Sequence, residues 1–141
     1  MPDPVIARET IWIPFMHDEL CCDKDTIIVG HSSGAEAAMR YAEKYKVHGI
    51  ILVSPCISDL GEESERLSGY YSRPWEWALI RKNTAFVSVF GSVDDPFIPW
   101  TEIREVSDNL DPDAHKFTDR GHFMSGTLPE LIGSVRKHLK H

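Results

Sequence analysis

Three types of side chain that could perform acyl-transfer chemistry each follow an apolar stretch of the sequence. Ser32 is the centre of the motif GHSSG, Asp94 and Asp95 stand side by side in VDDPF, and His122 lies in RGHF. A serine becomes a nucleophile when a histidine removes its proton, and a carboxylate keeps that histidine in the required tautomer and orientation. These residue types therefore predict hydrolysis of a carbonyl compound, provided that the fold brings them together.

The motif GHSSG has the G-x-S-x-G pattern of a sharp strand-to-helix turn that exposes a serine at its tip. Such a turn is tight, so we expect it to need small residues on both flanks of Ser32. The backbone N–H of Ser33, at the start of the following helix, is predicted to point to where an oxyanion would form. His31 lies inside the turn and is predicted to line the cleft. The alternative is a chance match, which the flanking strand and helix disfavour.

The acid and the base each have a simpler explanation when taken alone. Asp94 or Asp95 could form an Asp-Pro turn or cap the helix that is predicted to begin near Pro99. His122 could be a solvated loop histidine. If there were no triad, all of these simpler explanations would have to be true at once. In addition, the chain order serine, aspartate, histidine is that of triads on α/β folds. The combination favours a triad, with either aspartate as its acid.

Short apolar runs alternate with amphipathic segments along the chain, which is typical of βαβ units with a parallel sheet. The sequence predicts strands at TIIV, GIILV, FVSVF and AHKFTD, and helices around residues 8–21, 33–46, 74–83, 99–110 and 127–141. We therefore expect a single doubly wound α/β domain, with a mainly parallel sheet flanked by helices. In such sheets the active site lies at the carboxyl ends of the strands, where the candidate residues stand.

The last predicted helix carries its own start signal and its own apolar stripe. Thr127 and Glu130 have the T-x-x-E spacing of a capping box. Leu131, Val135 and Leu139 fall on one helical face and are predicted to be buried.

Residues 57–83 form a polar, aromatic-rich excursion that we expect to lie over the ends of the strands. Pro74 is predicted in the first turn of the helix within this excursion. Trp75 and Trp77 are two positions apart on that helix, so they cannot both face one core. One tryptophan is expected to pack on the sheet and the other to line an acyl pocket. The alternative is that both lie at the edge of a small core.

Composition excludes several classes of partner. The 141 residues carry a net charge of −7, which argues against nucleic acid and against anionic membrane surfaces. Three cysteines, two of them adjacent, make a poor disulfide framework and indicate a reducing compartment. No signal peptide or membrane span is recognisable, so we expect a cytoplasmic protein, with the nucleus as a second compartment. His17, Cys21 and Cys22 lack a closed metal-ligand spacing, so neither zinc nor a dissociable cofactor is predicted.

Seven motifs together extend over essentially the whole chain: MPDP, ARETIWIPFM, IIVGHSSGAEAAMRYAE, SDLGEE, SGYYSRPWEW, FGSVDDPFIPW and HKFTDRGHF. They resemble the retinoblastoma-binding serine hydrolases, a family of small enzymes with the α/β-hydrolase fold. By position, the resemblance implies that Ser32 is the nucleophile, Asp95 the acid and His122 the base. It also implies small carboxylic esters as substrates, aminoacyl esters among them.

The sequence departs from this family in two places. Members of the family have a strand, a glycine-rich loop, a helix and a second strand before the position of MPDP, and that loop would supply a second oxyanion N–H. We therefore expect an N-terminally shortened form with weak or absent activity, in which the strand TIIV lacks a neighbour. The family's L-x-C-x-E motif binds retinoblastoma-type pocket proteins. Leu20 and Cys22 match it, but Lys24 replaces the glutamate, so pocket binding without catalysis is the alternative function.

Overall fold

Four parallel strands form the centre of the molecule. The computed structural model describes residues 1–139, and Lys140 and His141 lie outside the described residues. The strands are β1 (Ile27–His31), β2 (Val47–Val53), β3 (Thr84–Ser92) and β4 (Asp113–Phe117). They pair in the order β1-β2-β3-β4, and each pair is parallel. The predicted α/β fold with a parallel sheet is confirmed.

Helices connect the strands and cover both faces of the sheet. They are α1 (Glu9–Asp18), α2 (Ser33–Lys44), α3 (Glu63–Ser68), α4 (Trp77–Lys82), α5 (Trp100–Leu110) and α6 (Pro129–Leu139). Because side chains alternate along a strand, Ile50 and Leu52 of β2 face the larger core, under α1, α2, α4 and α5. Ile51 and Val53 face a smaller cluster under α6. No helix among residues 1–139 is both long enough and apolar enough to cross a membrane.

Helix α2 carries the candidate nucleophile at its beginning and packs closely on the sheet. Ala35, Ala38 and Ala42 recur at helical spacing, and all three are fully buried. Their small side chains allow the helix axis to approach the strands, which fixes the direction in which the helix begins. The predicted continuation to Lys46 is too long, because the helix ends at Lys44 and Tyr45 has an extended backbone.

Strand β1, which ends in the candidate elbow, lies at the edge of the sheet. It pairs with β2 on one side, and no described residue pairs with its other side. Val29, in the middle of the strand, is 49% exposed. A groove of about 370 Å³ runs beside the strand, with Trp12, Met16 and Ile28 among its apolar lining residues. An apolar strand without a second neighbour was expected from the sequence.

The start of α6 differs from the prediction. The helix begins at Pro129, two residues after Thr127, and the carboxylate of Glu130 pairs with Arg120 at 2.6 Å. A capping box needs that carboxylate for a backbone N–H, so the predicted box is wrong.

The buried face of α6 also differs in part. Leu131 and Val135 pack against the smaller cluster as predicted, but Leu139 is 53% exposed. Ser134 is buried instead, because its hydroxyl forms a hydrogen bond of 2.8 Å with the hydroxyl of Ser88 on β3.

The segment 57–83 is mostly exposed or half-buried, but it has regular structure and a few buried side chains. It contains α3 and α4, and Tyr70 is fully buried. The buried guanidinium of Arg40, on α2, donates to the carbonyl groups of Tyr70 and Arg73 at 2.6 and 2.8 Å. Helix α4 begins only at Trp77, so the prediction that Pro74 stands in its first turn is wrong.

Candidate active site

The elbow that presents Ser32 is a strained turn between β1 and α2. Ser32 has φ 57° and ψ −118°, a conformation that a residue with a side chain adopts only when the surrounding structure enforces it. Its N–H donates to the carbonyl of Val53 at 2.9 Å, so the end of β2 holds the turn. A Cβ on Gly30 would lie 2.1 Å from the carbonyl oxygen of Gly34. Glycine is therefore required at position 30.

The second glycine of the motif has no such requirement. A Cβ on Gly34 would meet no described atom within 4 Å. The expectation that both flanks must be small therefore holds for Gly30 and needs correction for Gly34. The reason is the groove beside β1, which Gly34 lines and which leaves space next to the first turn of α2.

His122 and Asp95 form a directed pair at the ends of β4 and β3. His122 Nδ1 lies 2.8 Å from Asp95 Oδ2. A carboxylate can only accept, so Nδ1 carries the proton and the lone pair of the neutral ring is on Nε2. Burial alone would raise the pKa of Asp95. Its hydrogen bonds from His122 and from the N–H groups of Ile98 and Phe97 outweigh burial and hold that pKa below its usual value.

Asp94 has a different set of hydrogen-bond partners from Asp95. Its Oδ1 accepts from the Ser92 hydroxyl at 2.5 Å and from the N–H of Gly121 at 2.9 Å. These hydrogen bonds lower the pKa of Asp94. Asp94 thus ties the loop before His122 to the end of β3, and of the two acids it is Asp95 that contacts the imidazole.

Ser32 and His122 border the same cavity, which has a volume of about 510 Å³. Cys56, Phe97 and Ile98 contribute to its wall. No hydrogen bond joins Ser32 to His122 among the described residues, a common condition in hydrolases without substrate, because catalytic hydrogen bonds tighten on binding. The cavity lies where the carboxyl ends of β1, β2 and β3 meet, so the three predicted catalytic residues share one region.

An acidic wall faces this cavity. Asp59, Glu62 and Glu65 line it, and Glu65 is contacted by the hydroxyl of Tyr71 at 3.3 Å and by that of Ser33 at 3.4 Å. Sequence reasoning assigned SDLGEESE to the surface because its composition is polar. The signal that could have located these carboxylates is their position directly after the second strand.

The backbone N–H of Ser33 is available for an oxyanion. Ser33 is the first residue of α2, and the N–H groups of a first helical turn have no acceptor within the helix. The hydroxyl of Ser33 faces Glu65 rather than Ser32, so its backbone is the part that could serve the reaction.

The predicted pocket lining by His31, Trp75 and Trp77 needs correction, because none of them lines the cavity at Ser32. Trp75 and Trp77 stack with ring centroids 5.9 Å apart and pack together at the edge of the core, as the alternative prediction stated. The indole N–H of Trp75 donates to the carbonyl of Ile57 at 3.1 Å. His31 instead contacts the loop that carries His122, with its Nε2 2.7 Å from the carbonyl oxygen of His122.

Sequence reasoning missed a buried carboxyl group beneath the elbow. Glu36 on α2 is fully buried, and its Oε1 accepts the N–H of Cys56 at 2.6 Å. Burial raises the pKa of Glu36 to about 8. In sequence, Glu36 resembles any first-turn acid that favours a helix N-terminus. Only the tertiary structure shows that it faces the interior.

The predicted partner motif lies after α1. Leu20 and Lys24 are exposed, whereas Cys22 is half-buried. The carbonyl of Cys22 accepts the hydroxyl of Tyr41 at 2.8 Å, and its N–H donates to Met16. Burial also raises the pKa of the Cys22 thiol. The three positions are therefore not equally accessible.

The chain has the fold of the α/β hydrolases. The structure superimposes on that of the ydeN gene product of Bacillus subtilis with a TM-score of 0.86 at 22% identity, over 99% of this chain and 79% of that one. It also matches alpha/beta hydrolase domain-containing protein 10 from mouse, with a TM-score of 0.65 at 15% identity over 93% of this chain and 67% of that one.

The chain belongs to the serine hydrolase family. A model of that family matches residues 3–128. The serine hydrolase RBBP9 of Rattus norvegicus is 59% identical over 139 residues, which cover 99% of this chain and 75% of the relative.

Proposed function

We propose that the protein hydrolyses small carboxylic esters through a covalent acyl-enzyme on Ser32. The observation that carries this proposal is the His122–Asp95 pair, 2.8 Å apart, at the border of the cavity that also receives the elbow serine. An elbow alone would offer an unactivated hydroxyl. Beside a histidine with a free Nε2 lone pair, that hydroxyl becomes a nucleophile.

The proposed reaction proceeds in two displacements. His122 Nε2 takes the proton of Ser32 while Oγ bonds to the ester carbonyl carbon, and the Ser33 N–H stabilises the oxyanion. When the intermediate collapses, the bond to the alcohol oxygen breaks and His122 protonates the leaving alcohol. Water then attacks the acyl-enzyme with His122 again as base, and the acid product and the free Ser32 hydroxyl are released. Asp95 stabilises the imidazolium in both halves.

The expected rate is low. Among the described residues, the N–H of Ser33 is the donor that we assign to the oxyanion. Loss of one donor from an oxyanion hole costs about 10²–10³ in turnover. We therefore expect slow turnover relative to a site with two donors, whereas acylation by a reactive probe should remain measurable.

Covalent labelling tests the proposal. A fluorophosphonate probe should label the protein but not Ser32→Ala. Ser33→Ala is the matched control, because it removes a neighbouring hydroxyl and keeps the backbone N–H. Equal labelling of the wild type and Ser32→Ala would refute the proposal.

Aminoacyl esters are the substrate class that the charge of the cavity favours. Asp59, Glu62 and Glu65 would attract a protonated α-amino group, and Tyr71 and Ser33 help to orient Glu65. We expect a phenylalanine ester to be hydrolysed about tenfold more efficiently, as kcat/KM, than its analogue without the amine. Glu65→Gln should reduce that preference. An equal preference in Glu65→Gln and in the wild type would assign no such role to Glu65.

A second candidate function is binding of a retinoblastoma-type pocket protein through Leu20, Cys22 and Lys24. The exposure of Leu20 and Lys24 favours it, whereas the hydrogen bonds at Cys22 would have to break for an extended motif to form. A pull-down that compares the wild type with Lys24→Glu tests this function. Absence of binding by both proteins would remove it.

A further inference from the structure

His31 connects the two reacting residues of the candidate site. It is the last residue of β1 and immediately precedes Ser32. Its Nε2 lies 2.7 Å from the carbonyl oxygen of His122, on the loop between β4 and α6. A carbonyl oxygen only accepts, so Nε2 of His31 carries the proton and donates it.

The loop that carries His122 is strained and needs external support. Gly121 and Phe123, on either side of His122, have φ values of 55° and 57°. The left-handed conformation at Phe123 is unfavourable for a residue with a bulky side chain and persists only where surrounding contacts hold it. The backbone geometry that orients the base is therefore set by what the loop is bonded to.

Hydrogen bonds reach this loop from two sides. Before His122, the carboxylate of Asp94 accepts the N–H of Gly121, and the hydroxyl of Ser92 accepts that of Arg120 at 3.1 Å. Ser92 is the last residue of β3 and Asp94 follows it. Neither hydrogen bond fixes the position of the nucleophile Ser32 relative to the loop. At His122 itself, His31 is the donor to the carbonyl. Among the described residues, the hydrogen bond from His31 is the one that links the loop carrying His122 to the elbow.

We propose that His31 is a positioning residue that sets the distance between Ser32 and His122 by donating its Nε2 proton to the His122 carbonyl. This inference rests on the proposed function, because it assigns His122 the role of base. The role assigned to His31 runs through the backbone of the His122 loop.

The electrostatics of the pair are compatible with this role. The two imidazole rings lie 4.7 Å apart between centroids, and His122 becomes positively charged whenever it holds the proton of Ser32. Partial burial of the ring lowers the pKa of His31 and, together with repulsion from His122, outweighs the hydrogen bond to the His122 carbonyl and the attraction of Asp95, which raise it. A neutral His31 keeps one ring N–H as a donor and adds no positive charge beside the base.

Two substitutions at His31 distinguish the effect of its hydrogen-bond donor from the effect of its side-chain volume. His31→Gln keeps an N–H donor of similar reach, whereas His31→Leu keeps the apolar volume without a donor. His48→Leu is the matched control, because His48 Nε2 makes the same kind of contact, 3.1 Å from the carbonyl oxygen of His138, at the amino end of β2 away from the cavity.

The first measurement is the rate constant for fluorophosphonate labelling of Ser32. We expect it to fall about tenfold in His31→Leu, to recover to within about threefold of wild type in His31→Gln, and to be unchanged in His48→Leu. Equal rates in His31→Leu and the wild type would overturn the proposal. So would equal losses in His31→Leu and His31→Gln, or in His31→Leu and His48→Leu.

The second measurement does not depend on catalysis. Amide hydrogen exchange at Phe123, whose N–H donates to the carbonyl of Arg120 at 3.0 Å, reports opening of the loop. It should be faster in His31→Leu and close to wild type in His31→Gln. If the wild type does not label at all, the proposed function fails, and exchange still decides the contact: unchanged exchange in His31→Leu would overturn the positioning role.

Discussion

The base side of the site, formed by the loops after β3 and β4, is fixed from several directions, whereas the nucleophile side, formed by β1 and α2, is fixed mainly from one. Asp95 accepts from His122 and from two backbone N–H groups, and Asp94 holds the preceding loop. On the nucleophile side, β1 pairs only with β2 among the described residues, and an apolar groove lies along its other side.

This difference shows which part of the reaction depends on the rest of the fold. The tautomer of His122 is a local property of two adjacent loops, because Asp95 alone determines which ring nitrogen carries the proton. The position of Ser32 depends on a strand with one neighbour, on the hydrogen bond to Val53 and on the close approach of Gly30 to Gly34. Substitutions on the two sides should therefore fail in different ways.

The largest effect is expected on the base side, from Asp95→Asn. The amide can donate to Nδ1 of His122 and favours the wrong tautomer, so turnover should fall about 10⁴-fold with little loss of stability. Ester hydrolysis or the labelling rate measures this loss. Asp94→Asn is the control and should cost about tenfold, because Asp94 contacts the loop and not the imidazole. Equal losses in the two variants would contradict the assignment of the acid.

Glu36→Gln should reveal a pH-dependent weakness on the nucleophile side. The pKa of Glu36 is about 8 in the folded protein and close to the ordinary value of 4.5 when the chain is unfolded. Between these values the folded state binds the extra proton, so this carboxyl makes stability fall as pH rises from about 4.5 to about 8. Glutamine has no such proton and still accepts the N–H of Cys56. Thermal unfolding at pH 5 and pH 8.5 should show an advantage of the variant that grows with pH, by at most about 4 kcal/mol.

Thermal unfolding of Glu36→Gln could also contradict the raised pKa of Glu36. A constant difference between Glu36→Gln and the wild type at both pH values would mean that Glu36 has an ordinary pKa. Glu130→Gln is the control for an exposed acid, since its carboxylate pairs with Arg120 at the surface, and it should not show the rise.

Gly30→Ala should distort the elbow, whereas Gly34→Ala should not. The added Cβ at position 30 collides with backbone, which cannot move like a flexible side chain, so a loss of about 3 kcal/mol and of labelling is expected. At position 34 the Cβ enters open space inside a helix, where alanine is favoured over glycine by about 0.5–1 kcal/mol. Denaturant unfolding of both variants tests the contrast. Equal destabilisation would mean that the groove beside β1 is filled in solution.

The smallest effect is expected from Val29→Ala. Val29 is half exposed on the edge strand β1, so its truncation should cost less than about 1 kcal/mol in the free energy of unfolding. Leu52→Ala on β2, which is fully buried, should cost about 2–5 kcal/mol. Chemical denaturation distinguishes these values. A cost at Val29 that approaches the cost at Leu52 would show that β1 is buried in solution.

Structural features that depend on a local pattern of residues could be predicted from the sequence. The alternation of apolar runs and amphipathic segments predicted the four strands, their parallel sheet and the loops that carry Ser32, Asp95 and His122. The helical spacing of Ala35, Ala38 and Ala42, which form the buried face of α2, is likewise visible in the sequence. These features depend on residues a few positions apart, which a linear pattern records directly.

Features that depend on contacts between distant segments were not predictable. The burial of Glu36 depends on Cys56, twenty positions away, and the position of Trp75 depends on the carbonyl of Ile57, eighteen positions away. The predicted capping box failed because Arg120 attracts Glu130. In each case a partner outside the local window decides the conformation.

The proposed reaction requires that His122 activates Ser32. The most direct test is labelling with a fluorophosphonate, followed by tryptic digestion and tandem mass spectrometry of the peptide of residues 25–40, which contains Ser32 and Ser33. We expect an adduct on Ser32, formed at least 100-fold more slowly in His122→Gln. An adduct on another residue, or a rate that is unchanged in His122→Gln, would contradict it.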